Sequence, residues 1–201
     1  VGSEMCIRDR IKIARKEECT GCHGCYNVCS KKCIDMKFDE EGFLYPSIDL
    51  SKCVECGKCE KVCPIIHTVE IENEPIAVGC YNKDEKIRMK SSSGGIFTLI
   101  SELVIQSGGV VFGAEFDENF NVRHNYVDNM QDLHKFRGSK YVQSTIGNSY
   151  YDVKQFLEQG RKVLFSGTPC QIAGLKRYLQ KDYDNLICQD IVCHVLPSTY
   201  V

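Results

Sequence analysis

Eight cysteines between residues 19 and 63 are the side chains of this sequence most clearly arranged for chemistry. They form two runs with the same spacing, C-x2-C-x2-C-x3-C. The first run is Cys19, Cys22, Cys25 and Cys29, and the second is Cys53, Cys56, Cys59 and Cys63, followed by Pro64. Thiolates at this spacing are typical ligands of paired 4Fe–4S clusters. The spacing therefore predicts one-electron redox chemistry.

The spacing also predicts which thiols share a cluster. In bacterial ferredoxins the first three cysteines of a run wrap one cluster, and the fourth, carried on a helix, is a ligand of the other. Gly21, Gly24 and Gly57 favour this arrangement, because backbone must pass close to the inorganic core. Ser30 follows the first run where proline is usual, and we expect a local change in loop geometry without loss of a cluster. We predict one cluster on Cys19, Cys22, Cys25 and Cys63, and another on Cys53, Cys56, Cys59 and Cys29.

Two other uses of the cysteines remain alternatives. A disulfide framework implies an oxidising compartment and a signal peptide, and no apolar segment of that kind precedes Cys19. Structural zinc sites use paired C-x2-C knuckles more often than four cysteines in a run. Cys33 falls outside both runs, at a position where the repeat usually has a small residue. We interpret Cys33 as a packed thiol.

Composition narrows the class of protein. The chain has 201 residues, 43% hydrophobic and 26% charged, with a formal net charge of -2, as in ordinary globular proteins. No long basic run indicates nucleic-acid binding. No apolar stretch approaches the ~20 residues of a membrane span. Fourteen cysteines without a signal peptide favour a reducing cytoplasm, where thiols serve metals and redox reactions.

The sequence divides into segments of different character. Residues 1–10 match nothing in the domain that follows and resemble translated linker sequence, so this leader and its Cys6 are left out of the fold prediction. Residues 11–70 are predicted to form a ferredoxin-type domain, residues 71–75 a linker, and residues 76–201 a second domain. Because the chain stops soon after a strand-like run, we expect it to be an incomplete fragment of a longer protein.

The fold class predicted is α+β: a bacterial-ferredoxin-like domain for two 4Fe–4S clusters, followed by a partial α/β domain with a mixed sheet. In the first domain, Lys12–Lys16 is expected to lead into the first strand. Strands are expected at Ile34–Phe38, where apolar residues alternate, and from Phe43 to Ile48. In the second domain, strands are expected at Ile76–Tyr81, Val110–Phe116, Val122–Val127, Lys162–Phe165 and Leu186–Val192. Helices are expected at Gly94–Gln106, Tyr150–Gln159 and Thr168–Leu179. The first of these helices has an apolar stripe of Ile96, Leu99, Ile100, Leu103 and Val104.

Three short motifs in the second domain have residues suited to binding or redox chemistry. Ser91–Phe97 reads S-S-S-G-G-I-F and opens a helix, where free N–H groups favour phosphate, although a plain serine N-cap explains it equally simply. Arg137–Ser144 reads R-G-S-K-Y-V-Q-S and suits an anionic cofactor or a solvated turn. Phe165–Gly174 places Cys170 in the first helical turn, where the helix dipole lowers a thiol pKa, or where it serves as a small buried residue. Cys193 and His194 also follow a strand.

Together, these motifs resemble the coenzyme F-420 hydrogenase/dehydrogenase beta-subunit protein family over roughly residues 11 to 201. The matching segments are S-S-S-G-G-I-F, G-S-K-Y-V-Q-S, S-G-T-P-C-Q-I-A-G-L and V-C-H-V-L-P-S. The resemblance implies an iron–sulfur flavoprotein that binds FAD. The flavin-binding residues that it implies are Ser93, Gly94, Gly95, Ser139, Lys140 and Tyr141. The resemblance also implies that Cys170 and Cys193 are ligands of a further cluster or redox thiols. His194 would be a ligand, a proton carrier or a structural residue.

Two functions from different classes follow from these observations. The first is an oxidoreductase that passes electrons between two 4Fe–4S clusters, FAD and a hydride-handling substrate or partner. Its partner would be a redox protein or a small-molecule hydride carrier. The second is a non-catalytic electron carrier or docking subunit, in which the α/β domain only binds a partner. The presence of flavin in the intact protein distinguishes the two.

Overall fold

The computed structural model describes Ile11, Ile13, residues 15–68, residues 74–194 and Pro197. The leader predicted for residues 1–10 and most of the predicted linker lie outside these residues. None of the helices within the described ranges is long and apolar enough to cross a membrane.

A β-hairpin and two short helices form the cysteine-rich part of the chain. Strands β1 (Ile34–Phe38) and β2 (Leu44–Ile48) pair antiparallel, with Ile34 opposite Ile48. Helices α1 (Gly24–Val28) and α2 (Lys58–Lys61) each contain the third cysteine of a run. The apolar alternation of the sequence predicted this hairpin correctly.

Lys12–Lys16, expected to lead into the first strand, is not followed directly by a strand in the part of the chain that the structure describes. Lys16 instead begins a 3-10 helix that ends at Glu18, and the N–H of Cys19 donates to Lys16 O. Lys12 and Ala14 lie outside the described residues.

The second part of the chain is built on a four-stranded mixed sheet. Its strands are β3 (Val110–Phe116), β4 (Val122–Val127), β5 (Val163–Gly167) and β6 (Leu186–Asp190). The order is β4-β3-β5-β6; β4 is antiparallel to β3, whereas β3, β5 and β6 are parallel. The predicted mixed sheet is therefore confirmed, and its strands lie within two residues of the predicted bounds.

Helices cover both faces of this sheet. Helices α5 (Ser149–Glu158) and α6 (Pro169–Leu179) pack on one face, around a core that contains Phe112 and Phe165. Helix α4 (Ile96–Gln106) and a 3-10 helix, Asp132–Phe136, contribute to the core on the other face. Helix α6 begins as the sequence predicts, with Thr168 as N-cap and Pro169 at its first position. Sequence analysis did not predict helix α3 (Glu85–Met89).

The strand predicted for Ile76–Tyr81 is wrong. These residues form no strand, and Ile76 and Val78 are 90% and 77% exposed. The segment is anchored just beyond its end, where the N–H of Asn82 donates to Gly94 O at 2.7 Å. A β-like composition forms a strand only when a partner edge is available, and this segment lies against the start of α4 instead.

The apolar stripe predicted for α4 is only partly the buried face of the helix. Val104 is buried, but Leu99 and Leu103 are exposed. Thr98 and Ser101, both fully buried, face the interior in their place. Small polar side chains let the helix lie close to the sheet, so packing rather than hydropathy alone selects the buried face.

Candidate functional site

The eight cysteines of the two runs lie around two separate cavities. The first cavity lies beside the hairpin. Its cysteine side chains are Cys19, Cys22, Cys25 and Cys63. The fourth member of this set, Cys63, comes from the second run and is delivered by the residues just after α2. The structure thus brings together three thiols of one run and the last thiol of the other.

The second cavity, of about 220 Å³, contains the remaining thiols of the two runs. Its lining includes Cys53, Cys56, Cys59 and Cys29, together with Cys33. Cys56 and the neighbouring Val54 are exposed, so this cavity opens toward solvent. Cys33 is buried, as expected for a packed thiol, but it also faces four potential ligands.

Burial controls the protonation of the thiols in the first cavity. It raises the pKa of Cys22 to about 12, and it raises the pKa values of Cys19 and Cys25 as well. Without a nearby cation these thiols hold their protons. A bound iron ion would replace the proton, because metal coordination deprotonates a thiol outright.

The thiol pair Cys29 and Cys33 in the second cavity is strongly asymmetric. Burial raises the pKa of Cys29, but hydrogen bonds from Cys33 and from the N–H groups of Lys31 and Lys32 outweigh it, so the net pKa is lowered. Burial and the bond to Cys29 raise the pKa of Cys33 to about 12. Cys29 is therefore the more acidic thiol of the two.

The donor set of the first cavity fits a sulfide-rich cluster. Four thiols line it, which is the ligand number of a 4Fe–4S cluster. Thr20 and His23 also line it, and the Thr20 hydroxyl and both ring nitrogens of His23 have no hydrogen-bond partner among the described residues. A buried donor without a hydrogen-bond acceptor costs folding free energy. The sulfur atoms of a cluster accept hydrogen bonds and would supply that acceptor. Burial, with a smaller contribution from His124, lowers the pKa of His23 to about 4.

Hydrogen bonds join the first cluster loop, defined here as residues 19–27, directly to the second part of the chain. Gln143 Nε2 donates to Thr20 O at 3.2 Å, and Asn27 Nδ2 donates to Gly147 O at 2.9 Å. The fully buried Tyr150 hydroxyl lies 2.8 Å from Cys22 O and 2.7 Å from Gln171 O. The first cavity is therefore held against the α/β part of the chain, and the second cavity lies away from these contacts.

Helix α6 approaches the first cavity more closely than a side chain would permit. A Cβ atom at Gly174 would lie 3.1 Å from Cys22 Sγ and 3.0 Å from the Tyr150 hydroxyl. Glycine at this position lets the helix backbone touch a predicted cluster ligand. Cys170, in the first turn of the same helix, interacts electrostatically with Cys19 and Cys22.

A buried polar network surrounds the start of α6. His124 Nε2 lies 3.1 Å from Ser166 O, and His124 Nδ1 lies 2.9 Å from Ser144 Oγ. The carbonyl requires a proton on Nε2, so Nδ1 accepts from the Ser144 hydroxyl, which accepts in turn from Gln171 Nε2 at 2.8 Å. Burial lowers the pKa of His124 to about 4 and keeps its ring neutral.

The two cysteines predicted in the second part lie near one another at the carboxyl ends of β5 and β6. Thr168 Oγ1 is 3.1 Å from Cys170 Sγ. Cys193 is half-buried; burial and the proximity of Cys170 raise its pKa. His194 is exposed. The topology thus brings Cys170 and Cys193 to the same end of the sheet.

The structure also brings the two predicted flavin motifs together. The N–H of Ser139 donates to Ser92 Oγ, and Arg137 Nε donates to Thr98 Oγ1, each at 3.1 Å. Lys140 Nζ is anchored at 3.0 Å from two backbone carbonyls, and burial lowers its pKa. The motif residues divide into the exposed Ser93, Ser139 and Tyr141, the half-buried Gly94 and Lys140, and the buried Gly95.

These residues suit an anionic group. Helix α4 begins after Gly95 with no side-chain cap on its first amides, and the bond from Ser139 N–H to Ser92 Oγ joins the segment that carries Lys140 to the loop before α4. Phosphate oxygens are strong acceptors for uncapped amides and for ammonium groups.

Sequence reasoning missed the residues that make the junction. Tyr150 was predicted only as a helical residue, and Gln143 and Gly174 only as members of larger motifs. No local pattern distinguishes a tyrosine whose hydroxyl reaches a loop 128 residues earlier in the chain from one that only packs. The occurrence of Gln143 and Gly174 within unusual motifs was the one signal available.

Comparison with known proteins agrees with the chemistry of the cavities. Residues 18–65 match the family model of the 4Fe-4S dicluster domain. A component of the F(420)H(2) dehydrogenase of Methanosarcina mazei is 23% identical over 173 residues, which cover 80% of this chain and 48% of the relative. The VorC component of the ketoisovalerate oxidoreductase of Methanothermobacter marburgensis is 31% identical over 64 residues, which cover 31% of this chain and 81% of the relative.

A chain of the F420-reducing [NiFe] hydrogenase complex of Methanosarcina barkeri aligns in three dimensions with a TM-score of 0.38 and 23% identity, over 46% of this chain and 32% of that one. The present chain spans about half the length of the dehydrogenase component.

The dicluster domain and its thiol-lined cavities define the first part of the molecule as a ferredoxin-type iron–sulfur module. Over most of its length the chain is similar to the F(420)H(2) dehydrogenase component, and its residues 18–65 match the dicluster domain. Its relatives are subunits of oxidoreductases, so the chain belongs with iron–sulfur electron-transfer proteins of that kind.

Proposed function

We propose that the chain is an iron–sulfur flavoprotein subunit that passes electrons between two 4Fe–4S clusters, FAD and a hydride-handling substrate or redox partner. The observation that carries this proposal is the division of eight thiols into two cavities, four from the runs in each. When bound, the clusters supply one-electron steps and FAD converts them into two-electron chemistry. A reducing cytoplasm is the compartment that suits so many free thiols.

The thiols of each cavity are the proposed cluster ligands. One cluster would be held by Cys19, Cys22, Cys25 and Cys63, and the other by Cys53, Cys56, Cys59 and Cys29. Three cysteines of each set come from one loop, and the fourth arrives on the chain that follows the other loop's helix. Each loop therefore depends on the other for its last ligand, which supports a module of residues 11–70 that folds around both clusters together.

The flavin proposal depends on the junction between the S-S-S-G-G and G-S-K-Y motifs. Ser93, Gly94 and Gly95 would offer backbone amides to the phosphates at the start of α4. Ser139, Lys140 and Tyr141 would supply a hydroxyl, a cation and an aromatic surface. The bond between Ser139 and Ser92 supports a single composite site on the domain of residues 76–201.

Contacts around the first cavity support an order of electron transfer. Cys22 lies close to α6, since a Cβ atom at Gly174 would come within 3.1 Å of Cys22 Sγ, and Cys170 and Cys193 lie near the start of that helix. We place the first cluster next to the second domain and the solvent-facing second cluster next to an external redox protein. Cys170 and Cys193 would then act between the two clusters and the flavin, as redox thiols or as ligands of a further cluster.

The ligand assignment is tested by Cys59→Ser in the full-length protein. Loss of one thiolate from the second cavity should remove about half of the iron and leave one cluster signal detectable by electron paramagnetic resonance. Cys80→Ser is the matched control, because Cys80 is exposed and lies outside both cavities. Two intact cluster signals in the Cys59→Ser protein would refute the assignment.

The flavin site is tested by Lys140→Ala, which should weaken FAD retention by removing a cation held at the motif junction. Lys154→Ala on α5 is the control, since Lys154 pairs with Glu158 at 3.8 Å on the surface. Unchanged flavin content after Lys140→Ala would remove this lysine from the site. A full-length protein that takes up iron but no flavin would favour a ferredoxin-type carrier or docking subunit instead.

A further inference from the structure

The second cavity contains one thiol more than a 4Fe–4S cluster requires. Cys33 belongs to neither run, but it lines the cavity with Cys29, Cys53, Cys56 and Cys59. Its Sγ lies 3.4 Å from Cys29 Sγ, and its N–H lies 3.5 Å from the same sulfur atom. By contrast, the described lining of the first cavity includes four cysteines.

Contacts with residues other than Cys29 also hold Cys33 in place. It immediately precedes β1, its carbonyl accepts from Asp49 N–H at 2.8 Å, and it packs in a small core with Ile11 and Ile34. Cys29, in contrast, is the residue that ends α1. Two separate elements, a helix end and a hairpin, therefore present thiols to the same corner of the cavity.

We propose that Cys33 is a reserve ligand of the second cluster, able to take the place of Cys29. This inference rests on the proposed function, because it assumes a cluster in this cavity. When Cys29 is absent, Cys33 would release its thiol proton to solvent and its Sγ would form the iron–sulfur bond that Cys29 otherwise makes. A change of one staggered rotamer moves a cysteine sulfur by roughly 3 Å, which is close to the 3.4 Å between the two sulfur atoms.

The test compares variants of the full-length protein after anaerobic reconstitution with iron and sulfide. Cys33→Ala should bind as much iron as the unaltered protein. Cys29→Ala should also keep nearly all of its iron, with a changed iron–sulfur stretching pattern in the resonance Raman spectrum. The double variant Cys29→Ala/Cys33→Ala should lose about half of the iron, as should Cys56→Ala, which removes a ligand on the exposed side of the same cavity.

Two results would overturn the proposal. The first is a Cys29→Ala protein that loses as much iron as Cys56→Ala, whether through cluster loss or failure to fold. The second is a double variant that retains the iron of Cys29→Ala, which would assign the replacement ligand to another group. If the unaltered protein takes up no iron at all, the proposed function itself fails, and that outcome is distinct from both.

Discussion

Replacing Tyr150 by phenylalanine removes one oxygen atom from the junction between the two parts of the chain. The ring of Tyr150 is fully buried in the core beneath the sheet, and Phe165 and Tyr178 lie beside it. Phenylalanine keeps this packing. The substitution therefore isolates the hydroxyl, which bridges Cys22 O and Gln171 O.

The expected cost follows from the two carbonyls that lose a donor. A buried polar group left without its partner costs about 1–3 kcal/mol, and a single hydroxyl proton serves both carbonyls here. We therefore expect Tyr150→Phe to lower the free energy of unfolding by about 1–3 kcal/mol. In a chain of this length each kcal/mol corresponds to a fall in Tm of about 2–4 °C.

Anaerobic thermal and urea unfolding of the reconstituted protein measure this effect. Tyr151→Phe is the control, because Tyr151 is the neighbouring residue and its side chain is 53% exposed. We expect that control to change stability by less than about 0.5 kcal/mol. Hydrogen exchange should also increase in the first cluster loop of Tyr150→Phe alone. Equal stability of the two variants, with unchanged exchange in that loop, would refute the role given to the hydroxyl.

Two further predictions concern the same region. Gly174→Ala should weaken iron binding in the first cavity, because the new Cβ crowds Cys22 and the Tyr150 hydroxyl. Crowding costs about 1–3 kcal/mol and the higher helix propensity of alanine offsets about 1 kcal/mol of it, so the net loss of stability should be about 0–2 kcal/mol. Gly79→Ala, where a Cβ meets nothing within 4 Å, should not lower the iron content, and equal iron content of the two variants would count against the contact. In the folded protein the pKa of His124 is about 4, below its ordinary value of 6.5. As the pH falls, the unfolded chain therefore binds a proton before the folded protein does. The free energy of unfolding should decrease between pH 6.5 and pH 4, by up to about 3 kcal/mol. Unfolding curves at several pH values should show a steeper loss for the unaltered protein than for His124→Gln, and parallel curves would contradict this assignment.

The sequence specified the metal chemistry more fully than the fold. A 4Fe–4S cluster imposes the spacing of its ligands on a local stretch of chain, so the two runs are visible without knowledge of any tertiary contact. Strands β3 to β6 and helices α5 and α6 could also be predicted from the sequence, because their apolar periodicity is bounded by clear turn and cap residues such as Gly160 and Thr168.

The features that could not be predicted depend on contacts between distant residues. Ile76 and Val78 have strand-like composition, but no sheet edge within the described residues receives them. Leu103 belongs to the apolar stripe of α4, but Ser101 faces the sheet because close helix approach favours a small side chain. The junction at Tyr150 likewise becomes visible only when the loop and the helix are seen together. Local sequence patterns determine where each helix or strand forms, whereas tertiary packing decides which of its faces is buried.

Three hydrogen bonds, made by the side chains of Gln143, Asn27 and Tyr150, join the first cluster loop to the second part of the chain. Maturation of the cofactor and closure of the junction are therefore thermodynamically linked, since whatever orders this loop also completes its contacts with the sheet domain. We expect newly made chains that lack iron to be cleaved by proteases within residues 15–68, and iron insertion to protect them. The accessibility of this one loop to a protease would then report whether the first cavity holds its metal.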